Sequence, residues 1–170
     1  LLGLDIADTD QMFDELGDAA AYNLVQRFHE TIERCARENE GTVIKVAGTE
    51  ILCTFDSPQN AIRVATKLTS QLNTEDDRNI QWRGGLHRGT ALATSNAGAI
   101  DYFGNTVHLV QRLTRIAGAG ELLMTETVAN DPQVDTLIKD RHLSMEINDL
   151  PLPGLWGRRG HRIHVEAAPQ

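Results

Sequence analysis

The sequence predicts an α+β domain: a mixed, largely antiparallel sheet with helices packed on one face and a hairpin at its C-terminal end. Three observations carry this. Residues 42–46 and 51–55 are two short runs rich in β-branched and apolar residues, joined by Ala47-Gly48-Thr49-Glu50, which is a hairpin signature. Two longer segments, 19–40 and the one after Ser57, repeat apolar residues at helical spacing. The order of elements (strand, two helices, two strands, helix, two strands, helix, strand, hairpin) is that of a layered α+β fold rather than alternating βαβ units.

Taken in order, residues 1–6 read as a buried strand that ends at Asp5-Ile6. Ala7-Asp8-Thr9-Asp10 is a turn able to cap a short helix over 11–16, which Gly17 ends. Residues 1–18 hold six acidic side chains and no basic one, so this surface is a solvated face apart from Asp5, which closes an apolar strand. In the helix over 19–40, Tyr22, Val25, Phe28, Ile32 and Ala36 form the apolar stripe and Gly41 is the stop signal. His29, beside Phe28, reads as structural. After the hairpin, Ser57 caps a helix whose face is Ala61, Val64, Ala65, Leu68 and Leu72, and 74–79 is a polar loop.

Residues 80–86 and 90–94 are expected to pair as strands around His87-Arg88-Gly89, with 95–100 a loose loop. Asp101-Tyr102-Phe103-Gly104 leads into a helix over 105–117, with Val107, Val110, Leu113 and Ile116 or Ala117 facing inward. On its other side His108 and Arg112 stand four residues apart and share a face. A strand over 121–125, a small helix capped by Thr127, and strands over 142–147 and 161–166 complete the chain. No internal repeat or linker divides it, so residues 1–170 are expected to be one domain.

Bulk properties exclude several classes. A net charge of −8 argues against nucleic acid as a partner. No apolar run approaches the roughly 20 residues of a membrane span, and there is no signal peptide. Cys35 and Cys53 lack metal-type spacing and read as reduced core thiols, which suits the cytoplasm. The chain opens on a strand without Met, so a longer multidomain parent is expected.

Three polar features interrupt otherwise apolar elements: Asp5 at the end of the first strand, Lys45 inside the hairpin, and Asp101 with the His108/Arg112 pair. Each has a plain structural reading. Asp5 could cap the following turn, Lys45 could reach out to water, and Arg112 could sit in a surface ion pair. Each also has a chemical one. A strand-end carboxylate can hold a divalent cation, a lysine and an aspartate can read a nucleobase edge, and an arginine can neutralise phosphate charge that develops in a transition state.

Residues 3–18, 41–55 and 85–113 together make the sequence resemble the catalytic domain of class III adenylate/guanylate cyclases, and DYFGNTV followed by a helical arginine is the most specific match. The resemblance covers about residues 1–130. It implies a ferredoxin-like cyclase-homology fold acting as a head-to-tail dimer with sites between subunits. It implies two aspartates holding two Mg²⁺ or Mn²⁺ ions that bind the triphosphate of ATP or GTP and activate the ribose 3′-hydroxyl. The partner subunit would supply a base-reading Lys and Asp and a transition-state Asn and Arg. The product would be a 3′,5′-cyclic nucleotide plus pyrophosphate. Carried over by position, Asp5 matches the first metal aspartate, Lys45 and Asp101 the base-reading pair associated with adenine, and Arg112 the transition-state arginine.

Three positions depart from the family. Thr49 stands where the second metal aspartate should be, and a hydroxyl cannot bridge two dications. Glu50 or Asp8 are the possible substitutes, although Glu50, next to Thr49, points to the opposite face. His108 replaces the transition-state asparagine. Asp8-Thr9-Asp10 replaces the Gly-Phe-Thr loop that receives phosphates, and its carboxylates repel a triphosphate. Three functions follow as expectations: an impaired, regulatory cyclase domain; an active adenylate cyclase with a rebuilt metal site; and the base-binding half of a heterodimer. A structural Ca²⁺ site at Asp5, Asp8 and Asp10 has little support, because the later Gly and Glu of a Ca²⁺ loop are absent. The basic run at 158–162 reads as a hairpin tip or as a phosphate-reaching tail.

Overall fold

The computed structural model describes residues 1–72, 80–96, 99–149 and 159–165. Strand β1 (Leu2–Ile6) is buried along its whole length. Leu2, Leu4 and Ile6 join the main core, while Gly3 points the other way, toward Val110 and Thr114. Helix α1 (Thr9–Leu16) starts from Asp8, whose backbone is left-handed (φ 54°) and whose side chain makes no cap bond.

Gly17 separates α1 from α2 (Asp18–Glu38). Val25, Phe28, Ile32 and Ala36 are buried as their spacing predicts. Tyr22, expected in the same stripe, is 60% exposed. Ala21, one residue earlier, is buried instead, so the inward-facing position of this first turn is offset by one from the predicted stripe. The helix stops before Gly41: Asn39 Nδ2 donates to the Cys35 carbonyl at 2.8 Å, Glu40 takes a left-handed φ of 57°, and Gly41 already opens β2.

β2 (Gly41–Ala47) and β3 (Glu50–Phe55) form the expected hairpin, with Ala47 opposite Glu50 across Gly48-Thr49. A two-residue connection needs a left-handed backbone, and Gly48 supplies it at φ 62°. The register shifts between Val43 and Lys45. α3 (Pro58–Leu72) buries the predicted stripe, and Ser57 Oγ accepts from the Asn60 amide at 3.4 Å. The polar loop expected over 74–79 lies outside the described residues.

β4 (Trp82–Leu86) does not pair with the strand that follows it. Both of its edges are taken, by β1 antiparallel and by β7 (Glu121–Thr125) parallel. β5 (Leu92–Asn96) instead pairs with β6 (Ala99–Phe103) as a separate two-stranded arm. Of the expected loose loop over 95–100, the described residues are paired strand instead, with Ser95 opposite Ile100 and Asn96 opposite Ala99, and residues 97–98 lie outside the described residues. The seven-stranded sheet runs β2-β3-β1-β4-β7-β9-β8, with β8 (Met145–Asp149) and β9 (Arg159–His164) as the C-terminal hairpin. Most of the Pro/Gly connection between them lies outside the described residues. The small helix α5 (Glu126–Ala129) starts from Thr125 rather than Thr127. A further helix, α6 (Pro132–Asp140), is capped by Asp131, which accepts from the Gln133 amide at 2.9 Å.

The α+β class and the mostly antiparallel mixed sheet are as predicted. Helices α2 and α3 cover one face, where Leu2, Leu4, Ile6, Trp82 and Leu86 meet Phe28, Ile32 and Leu68. One-sided packing does not extend to α4 (Asn105–Ile116), which lies on the opposite face. There a Cβ on Gly85 would come within 2.6 Å of the Thr114 nitrogen and the Val110 oxygen. The glycine lets helix backbone rest directly on the sheet. Val107 and Val110 pack on Leu52, and Leu113 and Ala117 on Leu123. Cys35 and Cys53 are free and buried, and burial pushes the Cys53 thiol up to about 12.

Candidate functional site

The α4 face of the sheet gathers the polar residues that the sequence singled out. Asp5 sits there, 3% exposed. Its carboxylate is fully engaged. Thr49 Oγ1 donates to Oδ1 at 2.7 Å, and Arg83 donates to Oδ2 from Nε at 3.0 Å and from Nη2 at 2.6 Å. Strand register does this, because Asp5 and Arg83 are directly opposed on β1 and β4. Arg83 Nη1 also donates to the Arg115 carbonyl at 3.4 Å, where α4 ends.

Glu50 goes elsewhere. It accepts from Arg115 Nε at 3.2 Å, so the two neighbours at the hairpin tip have different partners. Asp8 is exposed and lines a separate open cleft of about 240 Å³ with Gln11, Met12 and Glu15. Neither proposed substitute is bonded to Asp5. Among the described residues no group of three His, Cys, Asp or Glu side chains is placed to hold a metal ion. One buried carboxylate already neutralised by a guanidinium, with a neutral hydroxyl beside it, does not fit a two-dication centre.

Lys45 and Asp101 do meet. Lys45 Nζ donates to both carboxylate oxygens, at 3.0 and 3.3 Å, and the Tyr102 amide donates to Oδ1 at 2.9 Å. The lysine's partner inside the strand is thus a carboxylate from the β5–β6 arm. The Lys45 hydrogen bond holds the Asp101 carboxyl below its ordinary value of 3.8; desolvation opposes it more weakly, and the Tyr102 amide and the Lys45 charge add smaller lowering effects. A depressed carboxylate pKa stabilises the fold above the unfolded value and loses that contribution as pH falls through the folded one. Lys45→Met should therefore raise the Asp101 titration midpoint, as followed by carbon-13 NMR of the side-chain carboxyl. An unchanged midpoint would mean that the pair does not hold in solution.

His108 is exposed on α4, edge-on to Phe103 with ring centroids 6.0 Å apart and planes at 77°. Arg112, one turn on, is half-buried. Between the sheet and α4 lies a shallow groove of about 20 Å³ lined by Gly3, Lys45, Glu50, Leu52, Gln111 and Thr114. His29 on α2 reaches the hairpin tip from the other side. Burial lowers its pKa, opposed by a hydrogen bond with the Gly48 backbone.

Sequence reasoning missed Arg83 and Arg115. Arg83 carried a usable signal: a charge between Trp82 and Gly84-Gly85 in an apolar run needs a partner, just as Lys45 does.

The model of the adenylate and guanylate cyclase catalytic domain matches residues 1–147. The chain belongs to this family. An adenylate cyclase of Glutamicibacter nicotianae is 29% identical over 126 residues, 74% of this chain and 30% of that protein. An uncharacterised protein of Mycobacterium tuberculosis is 28% identical over 119 residues, 70% of this chain and 30% of its own length. The cyclase domain thus spans about 30% of the length of these curated relatives. Among solved structures, a monomeric adenylate cyclase from Trypanosoma brucei superposes with a TM-score of 0.79 at 14% identity, over 96% of this chain and 86% of that one. The adenylyl cyclase CyaB from P. aeruginosa gives 0.73 at 18% identity, over 99% and 93%. The catalytic core of a rhodopsin-guanylyl cyclase in complex with ATPαS gives 0.77 at 16%, over 97% and 94%. The nine strands and six helices described above are arranged as a cyclase catalytic domain.

Proposed function

We propose that this cyclase domain is catalytically impaired and serves signal transduction as a regulatory module, through dimerisation, control of a partner domain, or a ligand in the groove beside Lys45 and Asp101. One observation carries this reading: the Asp5 carboxylate is saturated by Arg83 and Thr49, with no second carboxylate bonded beside it. The family's chemistry, as the resemblance implies it, needs dications to gather the triphosphate and lower the pKa of the attacking hydroxyl. A net-neutral cluster attracts neither ion nor triphosphate, and exposed Asp8 and Asp10 repel the latter. In this reading the domain works in the cytoplasm as a head-to-tail homodimer, with a heterodimer as the alternative. No described helix is long and apolar enough to cross a membrane.

The test is cyclic nucleotide formation by the purified chain at high concentration, with Mn²⁺ and ATP or GTP. The expected result is no product above the metal-only background. Cyclic AMP formed by the unaltered chain and abolished by Asp5→Ala would overturn the proposal and make it an active adenylate cyclase.

A second reading has its own support. The intact Lys45–Asp101 pair and Arg112 are what the base-binding half of a heterodimeric cyclase would keep. Mixing with a cyclase chain that carries both metal aspartates but lacks the base pair separates the two. Product in the mixture alone supports the half-enzyme, and none supports a purely regulatory role.

A further inference from the structure

We infer that a second copy of this chain docks by charge: in the head-to-tail pair proposed above, on which the inference rests, the Asp8 and Asp10 carboxylates of one copy meet His108 and Arg112 of the other. In the family's arrangement, as the resemblance implies it, phosphates lie between these two faces. Here the protein's own carboxylates supply the negative charge.

The two patches are of opposite sign. Residues 1–26 contain no Lys, Arg or His. The β1–α1 turn and α1 carry Asp8, Asp10, Asp14 and Glu15, all exposed. Asp8 stands at the N-cap of α1, yet its side chain makes no cap bond. Among the described residues neither the Asp8 nor the Asp10 carboxylate has an ion-pair partner. Helix α4, by contrast, carries His108, Arg112 and Arg115 and no acidic residue.

Within one chain the patches stand at opposite ends of the sheet. α4 runs alongside β1, with Val107 and Val110 beside Leu1, and the Arg115 carbonyl at Arg83, across from Asp5. His108 is thus near the start of β1, about 10 Å of helix axis before Arg115, whereas Asp8 lies beyond the other end of the strand. A two-fold pair turned head to tail brings these ends together twice, so each copy gives and receives the same contact. The surface next to His108 is apolar. Leu92 and Phe103, opposite each other across the β5–β6 arm, are 65% and 64% exposed, and Phe103 touches the His108 ring. An apolar centre bordered by charge is the layout of a protein interface. Charge in such a border fixes orientation and partner choice, and like charges placed there oppose association steeply.

The test is sedimentation equilibrium of the whole chain without nucleotide or metal. The unaltered chain should dimerise, more weakly as salt is raised. Asp8→Lys with Asp10→Lys in one variant, and His108→Glu with Arg112→Glu in another, should each weaken the dimer at least about tenfold. Mixed in equal amounts, the two variants should recover the unaltered affinity to within about threefold, because both contacts again join opposite charges. If the Arg112→Glu variant melts too low to study, His108→Glu alone, at an exposed position, replaces it and must show the same loss and recovery. An unaltered dimer that neither variant weakens, or variants that stay apart when mixed, would overturn the inference and leave the proposed dimer standing. An unaltered chain that is monomeric at every concentration would remove the dimer and the inference with it. Turnover enters none of these readouts, so the proposed loss of catalysis is judged separately.

Discussion

Gly85→Ala should destabilise this domain by about 3 kcal/mol and lower its melting temperature by roughly 6–12 °C. The added methyl would lie 2.6 Å from both the Thr114 nitrogen and the Val110 oxygen and 2.7 Å from Leu113 Cβ. Two of these atoms are helix backbone, which cannot rotate away as a side chain can. Either α4 lifts from the sheet or β4 bends. If α4 lifts, it opens the contacts of Val107 and Val110 with Leu52 and draws Arg115 from Glu50. Denaturant unfolding checks the loss. A change below about 0.5 kcal/mol, the scale of an ordinary surface substitution, would mean that α4 does not rest on β4 as described.

The same contact shows what the sequence disclosed and what it hid. Helical spacing in α2, α3 and α4 is a local property, and so is the glycine turn of the β2–β3 hairpin; both could be read directly. Which strand neighbours which is not local. The apolar run of β4 was read as one arm of a hairpin because β5 follows it, yet β1 and β7 compete for its two edges and win. The Gly84-Gly85 pair hinted at close packing but could not say that a helix, and on which face, makes the approach. α6 was missed although Asp131-Pro132 is a helix-start signal, because a nine-residue helix shows too few turns to establish a period.

Thr49→Asp should create a dication site where none is now supported. With Asp5 2.7 Å from the Thr49 hydroxyl, an aspartate there sets two carboxylates against the single charge of Arg83. Without metal the pair repels, so the variant should melt lower than the unaltered chain at neutral pH, and one carboxyl should titrate upward. With Mn²⁺ the excess negative charge becomes a binding site, and affinity should rise at least about tenfold, the equivalent of about 1.4 kcal/mol. Added Mn²⁺ should then recover the lost stability by mass action. An affinity equal to that of the unaltered chain would show that Arg83 cannot be displaced, and that more than the Thr49 position separates this site from a metal centre.

At the site, residue identity was informative where one residue type decides the chemistry. A threonine at a metal-aspartate position reads as a loss whatever the fold, and Lys45 announced the need for a partner such as Asp101. What could not be read was the state of Asp5. The same aspartate is a metal ligand or half of an ion pair according to the side chain across the strand, and the register that places Arg83 there is a property of the assembled sheet.

The most direct measurement is an Mn²⁺ titration of the unaltered chain, followed by the electron paramagnetic resonance signal of the free ion. Neutralisation of Asp5 by Arg83 predicts no site tighter than on the order of 1 mM, and a titration that Asp5→Asn leaves unchanged. A one-to-one site in the micromolar range that Asp5→Asn abolishes would contradict the account, because Asp5 would then be a metal ligand despite Arg83 and Thr49.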